Sequence, residues 1–213
     1  YEISAESNAL TLKFIVQPDD VSSSTSDGFG RSFALKNGQL LVGAHMADIP
    51  GAGNTNAGAA YLFDVNASSP TQVARFMSSD LSNDDVFGTS VDLDSNLTVV
   101  GAYADDINGY QNSGSAYVFR RESNGTITEL AKLSAPDGRA DDRFGYSVAV
   151  DGNHIAIGAY YADAERDGSS QGNSGKVYLY KVGEDGNVTY VETLVTPYPH
   201  GSAYFGYSLS ISE

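Results

Sequence analysis

Cysteine and long hydrophobic runs are both missing from this sequence. Without cysteine the chain can form neither a disulfide framework nor thiolate metal sites, although this does not choose between the cytosol and the exterior. No run approaches the roughly 18 consecutive apolar residues of a membrane helix, so no membrane insertion is expected. The first residues also lack the segments of a signal peptide, and any targeting segment is expected outside this sequence.

Basic residues are scarce: 12 lysines and arginines stand against 27 aspartates and glutamates, a formal net charge of −15. Such a charge repels phosphate backbones and anionic membranes at long range, so neither nucleic acid nor a lipid surface is an expected partner. Two interpretations of the acidity stay open, namely solubility and cation binding on an acidic face. The positions of the aspartates decide between them.

A sustained helical period is also absent, and an internal repeat is present instead. A Phe-Gly pair begins at Phe29, Phe87, Phe144 and Phe205, at intervals of 58, 57 and 61 residues. Hydrophobic residues make up 41% of the chain, which is enough for a sizeable core. Each copy is therefore expected to be one structural unit that buries its apolar face against its neighbours.

Within one copy the pattern predicts four short strands. An alternating strand follows Phe-Gly, and a tight turn leads to a second strand that ends in Gly-Ala. A polar loop then leads to an aromatic third strand, and a polar turn leads to a fourth. Four antiparallel strands that recur without helices are typical of the blades of a β-propeller. A sandwich of short strands is the competitor, but it has no reason to repeat these features in one order.

The order of Phe-Gly, Gly-Ala and an aromatic strand resembles the FG-GAP repeat of integrin α-subunit propellers, with His45, Tyr103 and Tyr160 in place of the proline of that name. The resemblance covers nearly the whole chain and implies an all-β propeller. It does not choose among adhesion, ligand binding and structure, because such repeats serve all three. The glycines of the Gly-Ala pairs are expected where two blades approach closely, and they are Gly43, Gly101 and Gly158.

The repeat predicts one propeller segment, a partial ring of about three and a half blades. Complete blades are expected at 29–77, 87–133 and 144–194, with 1–16 as the outer strand of a preceding blade and 205–213 as the first strand of a further one. Closed propellers use roughly four to eight blades. An arc leaves an apolar sheet face uncovered at each end, expected to be lined by residues such as Val91, Leu93, Val148 and Val150. A neighbouring chain or segment is therefore expected to complete the ring.

Successive loops of an antiparallel blade lie at opposite ends, and one end collects most of the aspartates and tyrosines. The tyrosines predicted to form a ligand-binding face are Tyr103, Tyr110, Tyr160 and Tyr161. The aspartates predicted as ligands of Ca²⁺, which takes six to eight oxygen atoms, are Asp84, Asp85, Asp105, Asp106, Asp141, Asp142 and Asp163.

The aspartates have a second interpretation. One repeated position is taken to hold Asp27, Asp85 and Asp142, and another to hold Asp48, Asp105 and Asp163. A repeated loop aspartate often forms a turn by bonding to the backbone two residues on, so the alternative to a metal site is a turn-forming role. The integrin type of calcium loop, between strands 1 and 2, is not carried over, because that connection is short and Leu97 replaces its glycine.

Four Asn-x-Ser/Thr sequons are expected in turns at the opposite end of the blades, at Asn66, Asn96, Asn124 and Asn187. A bulky glycan would be tolerated there. The alternative is that asparagine, serine and threonine are ordinary turn residues.

Catalytic signals are weak. In every copy a serine stands two residues after the glycine of the Phe-Gly pair, so this serine is expected to serve the architecture of the repeat. The three histidines are not placed as a metal triad.

The sequence predicts an extracellular or cell-surface module that binds protein or glycan without catalysis, with Ca²⁺ as its candidate cofactor. Two alternatives stay open: a structural subunit of an extracellular filament, and a propeller lyase or hydrolase that acts on a glycan through paired aspartates.

Overall fold

The computed structural model describes residues 2–3, 10–11, 14–19, 27–48, 55–66, 68–80, 82–166 and 168–212. Within these ranges the chain is all-β, with three four-stranded antiparallel sheets and two short hairpins. None of the described residues belongs to a helix that could cross a membrane. The predicted partial propeller of four-stranded blades is confirmed.

The strands follow one another in a simple order. A hairpin of β1 (Glu2–Ile3) and β2 (Leu10–Thr11) comes first. Blade 1 contains β3 (Phe29–Lys36), β4 (Gln39–Ala44), β5 (Ala59–Asp64) and β6 (Thr71–Phe76). Blade 2 contains β7 (Ser90–Asp94), β8 (Leu97–Ala102), β9 (Ser115–Arg121) and β10 (Ile127–Leu133). Blade 3 contains β11 (Phe144–Asp151) and β12 (His154–Ala159), then the inserted hairpin of β13 (Ala164–Arg166) and β14 (Ser169–Gln171), then β15 (Lys176–Val182) and β16 (Val188–Leu194).

Turn and edge chemistry explains the shape of each blade. In blade 1, Asn37 and Gly38 have φ of 52° and 73°, the left-handed pair whose twist suits a tight hairpin between strands 1 and 2. The third and fourth strands are paired through a β-bulge in all three blades, at Leu62/Phe63, Glu129/Ala131 and Leu179/Tyr180. A bulge bends the outer strand, which discourages pairing with the edge of another sheet.

The core lies mainly between successive blades. One apolar cluster combines residues of blades 1 and 2, and another combines residues of blades 2 and 3. In all three blades the phenylalanine of the Phe-Gly pair packs on the aromatic third strand. The ring centroids are 5.3 Å apart for both Phe87–Tyr117 and Phe144–Tyr178. The repeated aromatic residues are thus one packing unit used several times.

The glycine of each Gly-Ala pair lets two blades touch through their backbones. A Cβ atom added to Gly101 would overlap the carbonyl oxygen of Gly145, far inside van der Waals contact, and the Gly43–Gly88 and Gly158–Gly206 pairs repeat this arrangement. The same carbonyl accepts a hydrogen bond from the repeated serine of the preceding blade. Those bonds are Ser32 Oγ to Gly88 O at 2.8 Å, Ser90 Oγ to Gly145 O at 2.8 Å and Ser147 Oγ to Gly206 O at 2.6 Å. The expected close approach is confirmed, and the serine is architectural.

One sheet face of blade 1, here called the leading face, is largely exposed, and none of the described residues covers it as blades 1 and 2 cover the same face of blades 2 and 3. Phe33 and Leu35 on β3 are 69% and 63% exposed, whereas the equivalent Val91 and Leu93 on β7 are 8% and 3% exposed. The residues expected to line an uncovered face, Val91, Leu93, Val148 and Val150, are instead buried between blades. That expectation was wrong because each blade covers the first strand of the blade that follows it.

The two terminal segments also differ from expectation. The outer strand was predicted over 1–16, and residues 1, 4–9 and 12–13 of that range lie outside the described residues. Of the described ones, Leu10–Thr11 pairs with Glu2–Ile3, and residues 14–18 form no strand. Residues 205–212 form no strand either, although Gly206 docks on blade 3 as Gly145 docks on blade 2. A β-strand forms its hydrogen bonds with a partner strand, and among the described residues no such partner lies beside 14–18 or 205–212.

Candidate ligand-binding face

Antiparallel order separates the candidate residues into two ends of the blades. The sequon asparagines lie in or beside the hairpin turns, and all four are exposed: Asn66, Asn96, Asn124 and Asn187. The candidate aspartates and tyrosines lie at the opposite end, in the loops that join strands 2 and 3 and that join one blade to the next. This opposite end is called the loop end below.

Some of the loop-end aspartates connect one blade to the next. Asp84 and Asp141 have left-handed φ of 63° and 64°, a conformation that aspartate tolerates better than most residues. Asn56 Nδ2 donates to Asp84 Oδ1 at 2.8 Å, and Asn112 Nδ2 donates to Asp141 Oδ1 at 2.9 Å. Each bond runs from the loop of one blade to the entry of the following blade.

A second group of aspartates stabilises the loop between strands 2 and 3. The Oδ1 atoms of Asp48, Asp106 and Asp163 accept the backbone N–H of Asn56, Asn112 and Asn173 at 2.9, 2.8 and 2.8 Å. The equivalent of Asp48 and Asp163 is therefore Asp106. The sequence analysis placed Asp105 at this position and was wrong by one residue. The loops differ in length, so equivalent positions have to be counted from the preceding Gly-Ala pair.

The aspartates two residues before Phe-Gly cap the connection between blades. Asp85 Oδ2 accepts the N–H of Ser82 at 3.1 Å, and Asp142 Oδ2 accepts the N–H of Arg139 at 2.8 Å. Both side chains are buried, and burial raises the pKa of each. For Asp85, burial and then the negative charge of Asp105 raise the pKa to about 6.

Asp105 is peculiar to blade 2, because Ala47 and Ala162 stand at the equivalent positions. Its buried Oδ2 atom accepts hydrogen bonds from Ser115 Oγ at 2.6 Å and Tyr117 Oη at 3.2 Å, and it lies 2.6 Å from Lys132 Nζ. Next to it is an open cleft of about 310 Å³ that is lined by Ser82, Asn83, Asp84, Asp85, Ala104, Asp105, Asp106, Gln111 and Asn112. The cleft is acidic, and its buried charge is paired with a lysine.

Six tyrosines form a contiguous patch at the loop end, here called the tyrosine cluster. Its members are Tyr103, Tyr146, Tyr160, Tyr161, Tyr204 and Tyr207, linked by ring-centroid distances of 4.2 to 5.9 Å. They come from blade 2, blade 3 and the segment after blade 3. Tyr160 is buried, whereas Tyr204 and Tyr207 are 37% and 55% exposed.

Arg143 lies inside the tyrosine cluster. Its Nη1 donates to Tyr160 Oη at 2.6 Å, and its guanidinium carbon lies 4.4 Å from the ring centroid of Tyr161 and 5.6 Å from that of Tyr103. Such distances are typical of cation–π contacts. At the edge of the patch, burial and a hydrogen bond with Tyr207 raise the pKa of Tyr146 to about 12.

The predicted tyrosines are only partly brought together. Tyr103, Tyr160 and Tyr161 belong to the tyrosine cluster, but Tyr110 lines a separate cleft beside Pro136, Asp137 and Arg139. Sequence reasoning missed Arg143, Tyr146 and Tyr207 as part of this patch. The signal that could have found two of them is the tripeptide Phe-Gly-Tyr, which occurs at 144–146 and again at 205–207.

Comparison with known families agrees with this repeating geometry. A family model described as the FG-GAP repeat matches residues 18–63, 70–119 and 127–180. The chain belongs to the FG-GAP repeat family. A search of the curated proteins finds no match.

Two solved structures are similar to this chain at low sequence identity. The chain is similar to Saccharomyces cerevisiae Sqt1, with 10% identity and a TM-score of 0.49 over 81% of this chain and 37% of that one. It is also similar to a protein from Lactobacillus plantarum, with 14% identity and a TM-score of 0.46 over 78% of this chain and 42% of that one. The FG-GAP chain thus spans less than half the length of either protein.

In blade 2 of this FG-GAP chain, the aspartates near the connection between strands 1 and 2 bind to residues of the neighbouring blades. Asp92 Oδ2 accepts the N–H of Val150 at 2.8 Å, and Asp94 Oδ2 accepts the N–H of Gly152 at 2.7 Å. Lys36 Nζ lies 3.1 Å from Asp94 Oδ1. These carboxylates join blade 2 to blade 3 and to a lysine of blade 1. Across the described ranges, no group of three or more His, Cys, Asp or Glu side chains is arranged to hold a metal ion.

Asp85→Asn is expected to stabilise the FG-GAP chain at pH 7 by about 1–2 kcal/mol. The pKa of about 6 lies above the ordinary value of 3.8, so the folded chain holds this proton more tightly than the unfolded chain. Protonation of Asp85 therefore stabilises the folded chain, and this contribution is fully present below about pH 4 and is lost as the pH rises through about 6. Urea unfolding of the parent and the variant at pH 4 and pH 7 measures the difference.

The matched control is Asp142→Asn, because Asp142 has the same position in blade 3, where Ala162 replaces the carboxylate of Asp105. A smaller gain is expected there. If Asp85→Asn is no more stable than the parent at pH 7, the ionised carboxyl is not a source of strain in the folded chain.

Proposed function

We propose that this FG-GAP propeller segment is a non-catalytic binding module of an extracellular or cell-surface protein, and that a protein or glycan ligand binds at the tyrosine cluster. The observation that carries the proposal is the patch itself, since six tyrosines from separate segments meet on one face. Tyrosine offers large contact area at a low cost in side-chain entropy and adds a hydroxyl for polar contacts. Tyr204 and Tyr207 are the exposed rings that a ligand would meet first.

The surroundings of the tyrosine cluster favour a ligand without strong negative charge. The chain carries a net charge of −15, which disfavours polyanions at long range. The guanidinium of Arg143 already stacks on two rings and donates to Tyr160. A neutral glycan or an uncharged protein surface is therefore the better match.

The hydrogen bonds and ion pairs that the aspartates already make within the protein support a non-catalytic role. General acid and base catalysis requires carboxyl groups that reach the substrate. Asp85 and Asp105 are each only 5% exposed, and Asp105 Oδ2 is already held by Lys132, Ser115 and Tyr117. Most of the remaining candidates accept backbone or asparagine N–H groups of their own or the next blade.

An extracellular location and calcium dependence belong to the same proposal. The four sequons lie at the end opposite the tyrosine cluster, so glycans attached there would leave the ligand face open. The exposed carboxylates of Asp84 and Asp106 beside the acidic cleft are the candidate oxygen ligands for Ca²⁺.

The test is binding of the chain to an array of neutral and acidic oligosaccharides and extracellular-matrix proteins, with calcium or with chelator. The double variant Tyr204→Ala/Tyr207→Ala is expected to weaken binding to any probe captured by the parent at least tenfold, since buried aromatic anchors are each worth about 2 kcal/mol. Tyr110→Ala is the control, because Tyr110 is 51% exposed outside the cluster. Equal binding by the double variant and the parent would contradict the proposed face, and equal binding in calcium and chelator would contradict calcium dependence.

A further inference from the structure

Tyr146 and Tyr207 occupy the same position in successive repeats, at the third residue of Phe-Gly-Tyr. Their hydroxyl oxygens are 3.2 Å apart, and their ring centroids are 5.1 Å apart with the planes inclined by 43°. The oxygens are closer together than the centroids, so the two rings converge at their hydroxyl ends. Since the Cε atoms flank the carbon that carries the hydroxyl, this convergence brings the ortho carbons of the two phenols near each other.

The exposure and the close pairing of the two phenols suit oxidative coupling. Tyr207 is 55% exposed, and Tyr146 is half-buried beside it, so the pair lies at the surface of the protein. The hydrogen bond that Tyr146 Oη donates to Tyr207 Oη holds the two hydroxyl groups together.

We propose that Tyr146 and Tyr207 form a site for oxidative dityrosine cross-linking, with hydrogen peroxide and a haem peroxidase as the oxidant. Each phenol gives up one hydrogen atom, as one electron and one proton, to the oxidised haem. The two phenoxyl radicals join through a carbon–carbon bond between their Cε atoms, and the hydrogens on those carbons move to the oxygens and restore both hydroxyls. In total, two ring hydrogens are lost and one hydrogen peroxide is reduced to two water molecules.

The cross-link would connect blade 3 covalently to the segment that follows it. Residues 205–212 form no strand and are held to blade 3 by contacts such as Ser147 Oγ to Gly206 O at 2.6 Å and Phe205 N to Ser174 O at 2.9 Å. A covalent bond between positions 146 and 207 closes a long loop, and such a bond restricts the unfolded chain more than the folded one. The inference is independent of the ligand proposed above.

A second tyrosine pair provides an internal comparison. Tyr180 and Tyr190 have ring centroids 5.8 Å apart, with planes at 74°, so they meet edge to face. Tyr180 is 5% exposed, and its hydroxyl donates to Ser134 O at 3.1 Å. The ortho carbons of this pair are not presented to each other in the same way, and we expect no cross-link there.

The experiment treats the dilute 213-residue chain with a haem peroxidase and hydrogen peroxide, then maps peptides by mass spectrometry and records dityrosine fluorescence. The expected product is a chain of unchanged length that has lost two hydrogens, with residues 146 and 207 in one linked peptide pair and a raised denaturation midpoint. Tyr146→Phe and Tyr207→Phe, which keep both rings, should each abolish this product, whereas Tyr190→Phe should leave its yield unchanged. Thermal melting of each variant before oxidation confirms that it is folded. A linkage that maps to other tyrosines, or that joins only separate chains, would overturn the proposal.

Discussion

Gly101→Ala is expected to lower the free energy of unfolding by about 3 kcal/mol or more, enough to abolish a large part of the stability of a domain. The added methyl group would overlap Gly145 O of the next blade and Ser90 Oγ of its own blade. Backbone atoms cannot rotate away as a side chain can, so blades 2 and 3 would have to separate. The hydrogen bond from Ser90 Oγ to Gly145 O would be lost with that separation.

The control for Gly101→Ala is Gly172→Ala. Gly172 lacks a left-handed φ, and the nearest atom that an added Cβ would meet is Asp163 Oδ1 at 3.9 Å. That variant should change stability by less than about 0.5 kcal/mol. Chemical denaturation followed by circular dichroism measures both variants. A loss below about 1 kcal/mol for Gly101→Ala would show that the blades adjust, and the backbone contact would then not limit their spacing.

Equivalent pairs of residues on the first strands of two blades are expected to lose very different amounts of stability when they are replaced by serine. Val91→Ser/Leu93→Ser should cost about 4 kcal/mol of folding free energy, because both side chains are buried between blades 1 and 2. Phe33→Ser/Leu35→Ser should cost less than about 1 kcal/mol, because these side chains are 69% and 63% exposed.

The same variants test what the leading face of blade 1 does. An exposed apolar sheet face favours association, so the parent chain is expected to self-associate with rising concentration in sedimentation velocity. Phe33→Ser/Leu35→Ser should shift it toward the monomer. If the parent chain stays monomeric at all concentrations and melts in one sharp transition, the leading face needs no partner.

The repeat made the blades predictable. Phe-Gly, Gly-Ala and the aromatic strand recur at regular intervals, and period-two alternation places strands where the structure has them. The roles of Gly101 and Ser90 followed from repetition alone, since a residue present in every blade serves the architecture. The loops were less predictable because their lengths differ. For that reason Asp105 was aligned with Asp48 although Asp106 makes the equivalent hydrogen bond.

Sequence by itself determined the all-β fold, the four-stranded blade and the separation of sequons from acidic loops, because strand alternation and turn chemistry act between residues close in the chain. Only the tertiary structure decided that Arg143, Tyr146 and Tyr207 share one patch, and that Phe33 is exposed while Val91 is buried. These outcomes depend on how segments about sixty residues apart dock on one another. The local sequence pattern does not specify that docking. Equivalent positions in successive repeats have the same pattern, and they differ only in which neighbouring segment packs against them.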